Sequence, residues 1–351
     1  MQLSRDINNR NFDLKKSITE IYLNRWNWAF EARNRLVDQF EIPEFRNLYG
    51  KNDSKQCMVA VYGESGVGKT TCILKLLGVP EENGLFLHVS NILRGNKNKL
   101  GAGTSTAIVY KCRPDIEGEK FILKYGSLEE ELNDSQMEDK LQEIREKVEN
   151  GVFESNKPII IFLPSKYCQL KKEKFSLEII DLPGINSENI KEKSHLEVLI
   201  KEFIFYADIV LLFVQAGKLN DLGEYSIPGF GKWYNFINKF ILIITRSISQ
   251  HSQKVELKKL FEVYNDYDCQ KEKYITSLID RIHNVLHEYG KDEVSLNKNN
   301  VFPLEYGNSW CELKKTDPDL WKKCSPIINS LIDDLFLSIE NRSKSEQTIL
   351  Q

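Results

Sequence analysis

The chain lacks several features that would assign it to a familiar class. Its 351 residues contain no apolar run near the ~18 residues that a membrane-spanning helix needs. The first residues, MQLSRDINNRNFDLKK, are polar and charged, which excludes a secretory signal. The 48 lysine and arginine residues against 51 acidic ones leave a net charge of −3, without the positive excess of a nucleic-acid binder. We therefore expect a soluble, cytoplasmic protein that contacts neither nucleic acid nor, by itself, a membrane.

The cysteines also lack a pattern. The seven of them are scattered, with no C-x-x-C pair, and several fall inside apolar strand or helix patterns. This distribution predicts reduced thiols in the core rather than metal ligands or disulfides. The hydrophobic content of 41% is ample for a large core, and the length allows two domains.

One stretch carries a strong signal, VAVYGESGVGKTTCILKL at 59–76. An apolar strand leads into a glycine loop that fits G-x-x-x-x-G-K-[ST], and an apolar-periodic helix follows. Backbone N–H groups of such a loop surround a β-phosphate, and the helix adds the positive end of its dipole. Lys69 would reach the β- and γ-phosphates, and the Thr70 hydroxyl would ligate Mg²⁺. The pattern predicts that the chain binds a nucleoside triphosphate through Gly63, Glu64, Ser65, Gly66, Val67, Gly68, Lys69, Thr70 and Thr71.

Two further segments fit partners for the metal and the γ-phosphate. Asp181 opens DLPG at the end of an apolar run, where an aspartate holds Mg²⁺ in P-loop NTPases, and Gly184 could donate its N–H to the γ-phosphate. DLPG is also an ordinary turn sequence. The polar, glycine-containing stretch 94–106 predicts a mobile loop, and its hydroxyls at 104–106 are candidates for a switch residue that position alone does not distinguish.

The order of apolar runs predicts the fold. Strands alternate with helices along 55–310, which favours an α/β P-loop NTPase of GTPase type, with a mostly parallel sheet flanked by helices on both faces. An amphipathic helix at 17–40 would form an N-terminal arm (1–50), and a C-terminal helix would occupy 311–351. Local patterns also predict paired strands at 107–112 and 119–125, an acidic surface helix or helix pair at 127–149, a helix around 190–206 and apolar helical positions from Ile327 to Ile339.

The motifs GESGVGKT, TSTA and DLPG, in this order, resemble the GTPase domain of the dynamin superfamily, especially bacterial dynamin-like proteins. The resemblance covers about 55–310 and also includes Leu93-Arg94-Gly95 and an acidic insertion before DLPG. It implies a Mg²⁺-dependent GTPase that binds GTP and GDP, with Thr106 as the switch threonine and metal ligand. We expect no counterpart of the family's long helical stalk in this chain, because about forty residues follow Trp310.

Two departures from that family concern the base and the catalytic water. The guanine-reading motif [NT]-K-x-D corresponds to Thr245-Arg246-Ser247-Ile248, and Ile248 accepts no hydrogen bond. Guanine preference is therefore implied by resemblance alone. The segment VFPLEYGNSW at 301–310 would supply the other base-side loop, with Tyr306 and Gly307 near the purine.

The glycine loop has Ser65 and Gly66 where the family has glutamine and serine, and Ile185 stands where Ras-like enzymes carry glutamine. Catalysis would then depend on Thr106, Lys69 and Mg²⁺, with a possible contribution from Ser65, so we expect slow intrinsic turnover. The resemblance implies a switch whose nucleotide state controls homodimerisation across the nucleotide face or docking of a protein through the terminal helices. A catalytically weak nucleotide-binding scaffold subunit and a P-loop ATPase are the alternatives.

Overall fold

The computed structural model describes residues 57–80, 84–94, 105–113, 118–153, 158–168, 177–184, 195–200, 203–204, 207–227 and 231–349. Five sequence-based expectations fall wholly or mostly elsewhere: the helical arm at 17–40, the mobile loop at 94–106, the hydroxyl of Thr104, the apolar Ile185 and much of the helix at 190–206. These lie outside the described residues. All the residues predicted above to bind nucleotide or metal lie within them.

The fold is built on a nine-stranded sheet with the order β11-β10-β7-β1-β6-β2-β5-β3-β4. Strands β11, β10, β7, β1 and β6 pair in parallel, and β2 joins β6 in the antiparallel sense. The central strands are continuous apolar runs because both of their faces are buried. The strands of this sheet are β1 Cys57–Gly63, β2 Ile108–Cys112, β3 Phe121–Tyr125, β4 Leu128–Leu132, β5 Ile159–Leu163, β6 Leu177–Asp181, β7 Ile209–Gln215, β10 Phe240–Thr245 and β11 Val301–Pro303, while β8 Ser226–Ile227 and β9 Gly231–Lys232 form a separate short ribbon.

Helices flank the sheet. The first contacts β1 and β6, and the C-terminal one contacts β11 and β7. The α-helices are α1 Lys69–Leu76, α2 Leu85–Arg94, α3 Asp134–Glu149, α4 His251–Val263, α5 Tyr267–Glu288, α6 Gly307–Thr316 and α7 Pro318–Ile349. The apolar positions expected from Ile327 to Ile339 lie within α7. They are buried, except for the half-buried Phe336. Within the described ranges, no helix combines the length and apolar character of a bilayer span. The predicted fold class, a mostly parallel α/β sheet with the P-loop after its first strand, is confirmed.

The expected pairing of the strands near 107–112 and 119–125 is wrong. Strand β5 lies between β2 and β3, parallel to β2 and antiparallel to β3. Its sequence IIIFL is wholly apolar and suits an inner position, whereas β3 carries Lys124 and lies nearer the edge of the sheet. A non-local strand therefore replaces the hairpin that sequence proximity favours.

The expectation of helix throughout 127–149 is wrong for its first part. Residues 128–132 form β4, which pairs with β3 across a tight turn at Gly126 and Ser127, with Gly126 at a φ of 59°. A two-residue connection with a left-handed backbone is the usual hairpin geometry. The helix α3 starts only after Asn133, whose side chain accepts from the N–H of Gln136 in a reciprocal capping box.

The expectation that every cysteine is a reduced thiol is wrong for one pair. Cys112 at the end of β2 and Cys168 after β5 form a disulfide, with their Cα atoms 6.0 Å apart. The two residues are 56 positions apart in sequence, so no local sequence pattern indicates that they pair. It follows from β2 and β5 being parallel neighbours whose carboxyl ends meet at one edge.

Candidate functional site

The glycine loop joins β1 to α1 at the carboxyl edge of the sheet. Gly68 directly precedes α1 and has a φ of 96°, in the left-handed region that side chains avoid. A Cβ on Gly68 would also lie 3.1 Å from the ring of Tyr306. The backbone conformation therefore favours glycine at the last turn before the helix, and the neighbouring ring leaves little room for a side chain. Of the predicted loop residues, Val67, Lys69 and Thr71 are buried, while Ser65 and Gly66 are exposed.

Lys69 lies buried inside the loop. Its Nζ donates to the backbone oxygens of Gly63 at 2.9 Å and Glu64 at 2.8 Å. Burial lowers the pKa of Lys69 to about 8, although the negative charges of Asp181 and Glu64 oppose the shift. The loop thus holds a desolvated cation among carbonyl oxygens, a place where an anion would be strongly favoured.

The predicted metal residues Thr70 and Asp181 are in direct contact. The Thr70 hydroxyl donates to Oδ2 of Asp181 at 2.6 Å, and the Asp181 carboxylate is fully buried. Strand register brings them together, because Asp181 ends β6 beside Val61 of β1, two residues before the loop begins. A hydroxyl and a carboxylate are the hard oxygen ligands that Mg²⁺ uses together with phosphate and water, so these residues fit the ion. No cluster of three or more His, Cys, Asp or Glu side chains forms a separate metal centre in the described part of the chain.

The DLPG segment packs directly on the glycine loop. A Cβ added to Gly184 would lie 2.5 Å from both Cα and N of Ser65, so only glycine allows this approach. The N–H of Leu182 also donates to the backbone oxygen of Val61 at 3.1 Å. The structure therefore brings Gly184 to the loop that would hold phosphate, as its predicted role requires.

Thr106 lies just before β2 and is fully buried. Its Oγ1 lies 3.2 Å from Nε2 of His195, the first described residue of the helical segment after DLPG. The ring of Phe153 packs edge-on against the His195 ring. The only hydrogen-bond partner described for the Thr106 hydroxyl is thus an imidazole, and its role as a metal ligand stays a prediction.

The two predicted base-side loops lie at the same edge as the glycine loop. Thr245 ends β10 and is buried, and the exposed Arg246 adopts a φ of 51°. Tyr306 lies against Gly68 as described, and a Cβ on Gly307 would lie 3.1 Å from Cγ2 of Thr71. The structure thus places both Tyr306 and Gly307 beside the first turn of α1. Burial holds the pKa of the Tyr306 hydroxyl well above its usual range, so this group stays neutral.

Three residues of the site were not predicted from the sequence. Glu305 is buried between the base-side loops, His195 contacts Thr106, and Lys218 forms a 2.6 Å ion pair with Glu64 of the glycine loop. Glu305 had a detectable signal, since it is a carboxylate directly after an apolar strand that ends at the ligand-binding edge. His195 and Lys218 had none, because each reaches the site from a segment without a motif.

No protein-family model matches the sequence, and no curated protein matches it. Solved structures do align with it. A chain of an oligomerised bacterial dynamin pair, described as a mechanism for long-range sensing and tethering of membranes, is similar at 13% identity over 90% of this chain and 45% of that chain, with a TM-score of 0.32. Era in complex with MgGDPNP and nucleotides 1506–1542 of 16S ribosomal RNA is similar at 17% identity over 77% and 57%, with a TM-score of 0.28. A variant of Era from Aquifex aeolicus bound to GDP·AlF4⁻ gives 18% identity over the same shares and a TM-score of 0.26.

This chain spans between 45% and 57% of the length of these solved structures. The strand order and the position of the glycine loop between β1 and α1 define the fold.

Proposed function

We propose that the chain is a Mg²⁺-dependent nucleoside-triphosphate hydrolase that works as a switch, with GTP as its nucleotide. The observation that carries this proposal is the contact between Thr70 and Asp181 beside the buried Lys69. A phosphate-binding loop, a buried cation and two hard oxygen ligands meet at one edge of the sheet, which is the set of groups that phosphoryl transfer from a nucleotide needs.

Each of these groups has a defined task. Lys69 exchanges its two carbonyl acceptors for phosphate oxygens and so stabilises negative charge where water is excluded. Thr70 and Asp181 would hold Mg²⁺, which when bound neutralises charge on the β- and γ-phosphates. Gly184 is close enough to the loop for its N–H to orient the terminal phosphate.

The choice of GTP comes from the resemblance of GESGVGKT, TSTA and DLPG to the dynamin superfamily. We propose homodimerisation across the nucleotide face as the readout of the switch, with docking of a protein through the terminal helices as its alternative.

A second candidate function is a nucleotide-binding scaffold subunit with little hydrolysis. It is favoured by the exposed Ser65 and Gly66, which stand where the family places a glutamine and a serine to organise water. Hydrolysis separates the two functions. Phosphate release from GTP with Mg²⁺ should be slow but measurable, and should disappear both on chelation and in Lys69→Ala.

If the protein binds GTP yet releases phosphate no faster than Lys69→Ala, the scaffold function is correct. If it hydrolyses ATP in preference to GTP, the chain is a P-loop ATPase. Sedimentation velocity with GDP and with a non-hydrolysable GTP analogue then tests the switch, because only the triphosphate state should raise the sedimentation coefficient.

A further inference from the structure

One buried carboxylate ties together the two loops on the base side of the site. Glu305 follows β11 and is 1% exposed. Its Oε2 accepts from the backbone N–H groups of Ile248 and Ser249, at 2.9 Å each. Its Oε1 accepts from the hydroxyl of Ser249 at 3.1 Å and from the hydroxyl of Ser309 in α6. The carboxylate therefore links the turn after β10 to the start of α6.

These four contacts use the acceptor capacity of the carboxylate. An ionised carboxylate offers about four lone-pair sites, and four donors of the chain already occupy them. The bonds are charge-assisted and two of them come from backbone N–H groups, so exchanging them for donors of a ligand would break the turn itself. Glu305 is thus a support of the loops rather than a group open to a ligand.

The remaining side chains of the two loops offer no carboxylate in its place. The stretches 245–249 and 304–309 are described throughout and contain no acidic residue except Glu305. Ile248, which stands at the position of the base-reading aspartate, is apolar and 1% exposed. Arg246 carries only donors. Guanine presents two donors on one edge, its N1–H and its 2-amino group, and no carboxylate of these loops is available to accept from both.

We propose that Glu305 is a positioning residue for the nucleoside side of the site, and that this site accepts GTP and ITP alike because no carboxylate of the two described base-side loops reads the 2-amino group. The inference rests on the proposed nucleotide-binding function. It specifies the substrate class as a purine triphosphate that the site binds without a contact to the 2-amino group of the base. Inosine differs from guanosine only in lacking that amino group, so the pair of nucleotides tests this contact alone.

Titration calorimetry with Mg²⁺ on the wild-type chain, using GTP, ITP and inorganic tripolyphosphate, gives the direct test. The affinities for GTP and ITP should agree within about twofold. A site whose carboxylate pairs with the 2-amino group would bind ITP at least about tenfold more weakly, because the acceptor would be left unpaired. Such a preference for GTP would overturn the proposal.

The variant Glu305→Gln asks whether the carboxylate itself contacts the base. The amide oxygen can accept from both backbone N–H groups, and the amide nitrogen can donate to both hydroxyls, so the loops keep their links. The ratio of GTP to ITP affinity should stay near one, as in Glu312→Gln, an exposed control on α6. A wild-type preference for GTP that disappears in Glu305→Gln would show instead that Glu305 reads guanine.

The variant Glu305→Ala tests the positioning role. Loss of the tether should weaken GTP and ITP equally, by about tenfold, while tripolyphosphate, which has no base, keeps its affinity within about twofold. If the affinity of Glu305→Ala for tripolyphosphate fell by the same factor, Glu305 would support the fold in general, and the inference would be wrong. If the wild-type protein bound tripolyphosphate but neither GTP nor ITP, the inference would also be wrong, whereas the phosphate-binding site would be supported. If none of the three ligands binds to the folded wild-type protein, the proposed function fails as well.

Discussion

Replacement of Lys69 by methionine should make the ligand-free protein more stable. The lysine is 6% exposed and its pKa is lowered from 10.5 to about 8, mainly by burial. Keeping it charged in the folded state therefore costs about 3 kcal/mol relative to the unfolded chain. Methionine fills a similar volume without charge but leaves the backbone oxygens of Gly63 and Glu64 without this donor, at about 1 kcal/mol each. The expected net gain in the free energy of unfolding at pH 7 is therefore about 1 kcal/mol.

The pH dependence of this gain identifies its cause. Below pH 8 the lysine is charged in both folded and unfolded wild-type chains, so its cost is fully present. Between pH 8 and 10.5 the folded chain releases the proton first, the unfolded state binds more protons, and wild-type stability rises with pH. The stability difference between Lys69→Met and the wild type should therefore fall by about 2 kcal/mol between pH 7 and pH 9.5, so that the wild type becomes the more stable protein at pH 9.5.

Urea unfolding of both proteins at the two pH values provides the measurement, with Lys75→Met as the control. Lys75 lies in the last turn of α1 and is only half-buried, so its replacement should change stability by at most about 0.5 kcal/mol. A Lys69→Met protein that is less stable than the wild type at pH 7, or a stability difference that does not depend on pH, would show that burial of the charge does not destabilise the folded chain.

Three further predictions concern the metal, a helix cap and the disulfide. Asp181→Asn should remove the Mg²⁺-dependent part of triphosphate binding and leave the binding measured in chelator, whereas equal losses in both conditions would contradict a metal role. Asn133→Ala removes the capping box with Gln136 and should lower the free energy of unfolding by about 1 kcal/mol in urea, and no change would contradict the helix start at 134. A non-reduced digest should link the peptides of Cys112 and Cys168, and alkylation of both thiols without reductant would contradict the disulfide.

The parts of the fold that could be predicted from the sequence are those that depend on local sequence patterns. A glycine loop between an apolar strand and an amphipathic helix fixes the position of Lys69 and Thr70, because backbone connectivity alone holds them there. The position of Asp181 could be predicted in a similar way, because it ends an apolar strand and the carboxyl ends of parallel strands meet at one edge of the sheet. The register of β1 with β6 then produced the contact of Thr70 with Asp181 that the motifs imply.

The parts that sequence reasoning missed depend on contacts distant in sequence. Strand β5 lies between β2 and β3 because its apolar sequence suits an inner position of the sheet better than that of β3. A local hairpin pattern cannot show this, because it involves only strands that are adjacent in sequence. The disulfide follows from the same strand order. The position of Glu305 after an apolar strand was visible in the sequence, but its link between the two loops was not, because its donors lie 56 and 57 residues away.

Binding of a nucleoside triphosphate with Mg²⁺ by the loop from Gly63 to Thr70 underlies every function proposed for this chain. Thermal unfolding of the wild type and of Lys69→Met with GTP, GDP, ATP and ADP, each with Mg²⁺, measures this binding. At a hundred times its Kd a triphosphate should stabilise the wild type by about 2.7 kcal/mol, and it should leave Lys69→Met almost unchanged. Folded wild-type protein that no triphosphate stabilises, or equal stabilisation of the two proteins, would show that the loop does not bind nucleotide through Lys69.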